Sequence, residues 1–220
     1  DQLDGMIERW GMTDGEKRGI LTRITGSTDW NDLQGADLVI EAIKSQDRDR
    51  RIAMRKEIFK KIENHVAPDT IIASNTTTIA ITELSSELKH QDRCVSLHFF
   101  TASTDAHLVE VARGMHTGDE SCRRVRKFIT MLNKQIISIE ESAGLISVRL
   151  TVSMVNEACD LYVQGISSME DIDKSMRLGL GLRFGPFEIA DKVGVDKVLR
   201  WMDNLYSEFG DKKFKASPLI

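Results

Sequence analysis

Along the first 140 residues, short apolar runs alternate with amphipathic stretches, and after Glu141 the short runs stop. Residues 37–43 (DLVIEAI), 70–73, 94–100, 108–112 and 135–139 are apolar runs of strand length, several rich in β-branched or aromatic side chains. Between them, residues 47–65 carry charge on one side and Ile52, Ile58, Phe59 and Ile62 on the other, the pattern of a helix that ends before Pro68. A short helix over 82–88 and a longer one over 121–132 fill the remaining gaps, and Thr13-x-x-Glu16 is a capping box opening an earlier helix that runs into Leu21–Ile24. Strands alternating with helices over short connections predict an open, mostly parallel α/β sheet.

Beyond Glu141 the pattern becomes all-helical. Residues 143–163 are apolar on most sides, which predicts a helix buried by partners all round. Gly165 ends it, Ser167-x-x-Glu170 caps the next, and Pro186 sits just inside a further helix after Gly185. Gly194 closes that one, and a last helix over 196–209 stops at Gly210. The chain therefore divides at about residue 141: residues 1–141 form the α/β unit and residues 142–220 an all-α unit. No repeats or low-complexity segments interrupt either.

Composition narrows the possible functions. With 41% hydrophobic residues, 220 residues suffice for one large domain or two smaller ones with real cores. A net charge of −4, with acids and bases intermixed, argues against nucleic acid, which needs a clustered basic face. No apolar run approaches the roughly 20 residues needed to cross a bilayer. Cys94, Cys122 and Cys159 are widely spaced in apolar or helical surroundings and read as reduced thiols of a cytoplasmic protein, not a disulfide frame or a metal site.

The chemistry concentrates in residues 93–113, RCVSLHFFTASTDAHLVEVAR. One strand delivers His98 near its end, and the next delivers Glu110 twelve residues later. A carboxylate so placed can hold one imidazole nitrogen and leave the other to take a proton. The same two residues taken alone also fit a satisfied core histidine and an ordinary strand glutamate.

The strings DLVIEA, IIASNT, HFF followed by LVEV, NEA, EDID and GPFE occur in this order, with spacings that resemble those of the 3-hydroxyacyl-CoA dehydrogenases over essentially the whole chain. The resemblance implies a partial doubly wound, Rossmann-like parallel sheet followed by an all-α substrate and dimerisation domain. It implies an NAD-dependent oxidoreductase interconverting 3-hydroxyacyl-CoA and 3-ketoacyl-CoA, of short-chain type (3-hydroxybutyryl-CoA or acetoacetyl-CoA), working as a homodimer. In that chemistry His98 resembles the general base and Glu110 its orienting partner. Thr77 stands where the family places a serine that contacts substrate or cofactor, while Thr76 and Thr78 are expected to be structural.

Three positions depart from the family pattern. After HFF the family has Asn-Pro, whose asparagine helps hold the nicotinamide amide; here Thr101-Ala102 replaces it. The long helix of the family carries a substrate-binding asparagine where this chain has Val148. The connection after Glu41 is longer and rich in arginine and aspartate, and Arg55 replaces a family lysine near cofactor or CoA phosphates; the alternative is a solvated helix start. The glycine-rich turn G-x-G-x-x-G that cradles pyrophosphate is also absent. The nearest match, Gly179-x-Gly181-x-x-x-Gly185, is expected to be a helix end and turn. The resemblance places the missing glycine turn before Asp1 and a further tail after Ile220. A non-catalytic relative with a binding or structural role is the alternative reading.

Overall fold

The computed structural model describes residues 2–8, 11–43, 48–100 and 107–220. Five strands form one sheet in chain order: β1 (Leu38–Glu41), β2 (Ile71–Ser74), β3 (Cys94–Phe99), β4 (Leu108–Arg113) and β5 (Gln135–Glu140). The β1/β2, β2/β3 and β4/β5 pairs are parallel, and β3/β4 is antiparallel. The α/β, mostly parallel architecture is thus as expected, and its one antiparallel pair is what sets His98 opposite Glu110. Strand order does not reverse among the described strands.

Helix α1 (Gln2–Glu8) and helix α2 (Asp14–Leu21) precede the sheet, and the predicted Thr13/Glu16 capping box opens α2. Helix α3 (Arg48–His65) crosses from β1 to β2, α4 (Ile81–Ser85) lies between β2 and β3, and α5 (Asp119–Met131) crosses from β4 to β5. Strand alternation assigns the two faces of the sheet. Ile71, Ala73, Val95, Leu97, Val109 and Val111 pack on Val125 and Ile129 of α5. The intervening Ile72 and Cys94 pack on Phe59 and Ile62 of α3 and Ile81 and Leu84 of α4. By the same alternation His98 and Glu110 point to the α3/α4 side, away from the α5 layer. Burial pushes the Cys94 thiol up to about 12, so it is an inert core residue and no nucleophile.

The second half comprises α6 (Ser147–Val163), α7 (Met169–Leu180), α8 (Pro186–Val193) and α9 (Val195–Phe209). Its core joins Val148, Val152, Val155 and Cys159 of α6 to Ala190 of α8, to Val198, Trp201, Met202 and Leu205 of α9, and to Phe214. Two expectations shift here. Helix α6 begins at Ser147, four residues later than the apolar pattern suggests, because Gly144 (φ 81°) and Leu145 (φ 49°) are left-handed and cannot continue a right-handed helix. The cap of α7 is Ser168, not Ser167: its side chain accepts the Asp171 N–H at 3.1 Å. The adjacent serines offer the same signal in sequence. Gly181 ends α7 in the left-handed conformation and Gly185 opens α8, so the glycine-rich stretch is the helix end and turn expected.

Candidate active site

The parallel strands β1, β2 and β3 end on a common edge, the place where open α/β sheets bind ligands. A cavity of about 780 Å³ lies there. Its walls include Ala42 and Ile43 after β1, the run Asn75 to Thr78 after β2, His98 and Phe99 of β3, and residues of α3 and α9. Both halves of the chain therefore contribute.

His98 and Glu110 are direct cross-strand partners in the β3/β4 ladder. Each is only 3% exposed, and His98 Nδ1 stands 2.7 Å from Glu110 Oε2. With the carboxylate accepting the Nδ1 proton, the other ring nitrogen, Nε2, keeps its lone pair and makes no hydrogen bond to the described residues. The Glu110 carboxylate is held from the other side by the start of α6. Oε1 accepts the Ile146 N–H at 3.1 Å and the Ser147 N–H at 2.9 Å, while Oε2 accepts the Ser147 hydroxyl at 2.7 Å. Burial raises the affinity of Glu110 for a proton, but the bonds from His98 and Ser147 outweigh it and hold the carboxyl below its ordinary range. The site thus presents a buried, ionised carboxylate locked to one histidine.

Thr77 lines the cavity, and its carbonyl accepts the Gly144 N–H at 2.7 Å, which ties this loop to the turn before α6. Thr78 also borders the cavity, but its hydroxyl accepts Asn204 Nδ2 at 3.1 Å, in keeping with a structural part. Thr76 is buried. Thr101 lies outside the described residues.

Two candidates sit differently from the expectation. Arg55 is on the cavity wall, but its guanidinium is turned to the protein: Nη1 pairs with Glu41 and donates to Ser74 Oγ at 3.1 Å, and Nη2 donates to the Ile43 carbonyl at 2.8 Å. These contacts bind the ends of β1 and β2 together. Val148 is 0% exposed within the core of the helical half and is not among the cavity residues. In this structure the side chain at the position where the resemblance implies a substrate contact packs within the helical core.

Two residues of this site were not singled out from the sequence. Asn75 accepts the Phe99 N–H at 3.2 Å and so locks the end of β2 to the end of β3 beside His98. Ser147 completes the shell of Glu110, and its one signal in the sequence is a small polar residue inside an apolar run.

Comparison with known proteins places the chain in a family. Residues 1–142 match the family described as "3-hydroxyacyl-CoA dehydrogenase, NAD binding domain", and residues 144–220 match "3-hydroxyacyl-CoA dehydrogenase, C-terminal domain". A 3-hydroxybutyryl-CoA dehydrogenase of Clostridioides difficile is 36% identical over 204 residues, covering 93% of this chain and 71% of the relative. A probable 3-hydroxybutyryl-CoA dehydrogenase of Bacillus subtilis is 32% identical over 219 residues, covering 100% of this chain and 75% of the relative. The crystal structure of (S)-3-hydroxybutyryl-CoA dehydrogenase PaaH1 from Ralstonia eutropha superimposes with a TM-score of 0.87 at 36% identity, over 99% of this chain and 75% of that one. The chain belongs to the family of NAD-dependent 3-hydroxyacyl-CoA dehydrogenases.

Proposed function

We propose that this chain interconverts short-chain 3-hydroxyacyl-CoA and 3-ketoacyl-CoA, of the 3-hydroxybutyryl-CoA and acetoacetyl-CoA type, with His98 as general base and Glu110 as its positioning partner. The observation that carries the proposal is the buried His98–Glu110 pair at 2.7 Å beside a cavity large enough for a cofactor ring and a short acyl chain. Names of the relatives at 32–36% identity favour the four-carbon substrate.

Bound NAD supplies the hydride acceptor. The strand ends fit its nicotinamide end: Ala42, Asn75 and Thr77 line the same cavity as His98. A glycine-rich cradle for the pyrophosphate is not among the described residues. His98 Nε2 takes the 3-hydroxyl proton in oxidation and returns it in reduction. Glu110 fixes the tautomer and stabilises the imidazolium through its fixed negative charge. Thr77 lines the same cavity, where its hydroxyl can donate to the substrate oxygen, and the family's homodimer is the expected assembly.

The test is NADH oxidation with acetoacetyl-CoA by the natural full-length protein. Wild type should turn over, and His98→Gln should lose about 10²–10⁴ in turnover with little change in melting temperature. Near-normal turnover in the variant removes His98 from the mechanism. A wild type without turnover favours the non-catalytic reading.

A further inference from the structure

The carboxylate of Glu110 has about four acceptor positions, as any ionised carboxylate does. Four donors reach it: His98 Nδ1, Ser147 Oγ, Ser147 N and Ile146 N. Two of the four belong to one residue, and they grip different oxygens. The Ser147 N–H donates to Oε1 at 2.9 Å and its hydroxyl to Oε2 at 2.7 Å. The hydroxyl shares Oε2 with the imidazole and lies 3.4 Å from His98 Nδ1.

We propose that Ser147 is a positioning residue of this site, clamping both oxygens of Glu110 so that one of them faces His98 Nδ1. This rests on the dehydrogenase reading for its catalytic consequence, but the clamp itself is a property of the folded chain. Ser147 is the first residue of α6, and its N–H is one of the donors that a helix start leaves without an intrahelical partner. Glu110, arriving from β4, accepts it. The helix dipole favours the same negative charge. No side-chain cap serves α6, so the strand carboxylate takes the place of one. The clamp joins the two halves of the chain at the atom pair that would do the chemistry.

The hydroxyl and the imidazole compete for charge on Oε2. Removing the hydroxyl leaves the anion less satisfied, and Glu110 then holds a proton more tightly. Other charged side chains on the same cavity are Arg51 and Arg55 of α3 and Asp196, Lys197 and Arg200 of α9. None of them is altered by a change at residue 147, so a shift reports on the clamp.

Ser147→Ala keeps the backbone donor and deletes the hydroxyl, while Ser147→Thr keeps both. In Ser147→Ala, proton uptake by Glu110, read from its carboxyl carbon in an NMR titration, should move to higher pH, because the hydroxyl is one of the bonds that hold the carboxyl down. The acid limb of the pH profile for alcohol oxidation should move the same way, because a protonated Glu110 no longer accepts from His98 Nδ1 as the anion does. Turnover should fall about two- to tenfold while KM for the acyl-CoA changes little, since Ser147 does not border the cavity. Ser147→Thr should restore both profiles. A Ser147→Ala titration that overlays wild type overturns the clamp. Should wild type prove inactive, the dehydrogenase reading falls, yet the NMR titration still decides the clamp.

Discussion

At the scale of single residues, the site is a matter of which groups are enclosed and by what. His98 and Glu110 are both 3% exposed; both Glu110 oxygens are served, and His98 Nε2, which has no hydrogen bond among the described residues, is the nitrogen the proposed chemistry needs. Val148 shows the opposite case. The family's asparagine position is taken here by an apolar side chain wrapped by Val152, Trp201 and Leu205. Val148→Asn places an amide in that enclosure and should cost about 1–3 kcal/mol if the amide finds no partner. Thermal unfolding should show the loss, with no gain in turnover. A faster enzyme of unchanged stability would put residue 148 back beside the substrate.

At the scale of elements, the strings that carry the family resemblance turn out to be joints more than chemistry. The aspartate that ends EDID, Asp173, is 7% exposed and accepts the Phe187 N–H at 2.8 Å and the Glu188 N–H at 3.0 Å, so it caps α8 from α7. The glycine of GPFE allows that approach: a Cβ on Gly185 would lie 2.4 Å from the Cα of Asp173. The asparagine of NEA, Asn156, donates to the Lys215 carbonyl at 3.1 Å and accepts the Ser217 N–H at 2.8 Å, stapling the end of the chain to α6. Gly185→Ala should therefore destabilise the helical half by about 1–3 kcal/mol through overpacking, since the φ of −75° there suits any residue. Denaturant midpoints measure it. A midpoint equal to wild type would mean that α7 and α8 separate freely.

At the scale of the whole molecule, one expectation about apolar surface moves to a different place. The apolar side chains Trp201, Met202 and Leu205 of α9 are each at most 5% exposed in the core of their own chain, so the dimer expected of the helical half must use other surface. The exposed apolar side chains lie elsewhere: Leu150 on α6, Ile166 just after it, and Leu178 and Leu180 at the end of α7, each at least 65% exposed. Large apolar side chains left open to water in this number favour a partner surface. Light scattering at micromolar concentration should give twice the chain mass of 24.8 kDa. A monomer at that concentration rules the dimer out.

The elements and the identity of the pair were legible in the sequence because both depend on local signals. Strand runs, caps and helix stops act through neighbouring residues, and HFF followed by LVEV placed a histidine and a glutamate on successive strands. Tertiary structure alone decided three things. The antiparallel register set His98 opposite Glu110, because pairing direction depends on how the whole sheet closes. Two left-handed residues, one of them the non-glycine Leu145, delayed α6 so that its open N–H groups met a carboxylate from another half of the chain. Burial separated the look-alikes: Arg55 was drawn inward by Glu41, a partner 14 residues back, and Val148 by a helix some 50 residues ahead. Contacts between residues so far apart leave no periodic trace along the chain, so only the folded packing could assign them.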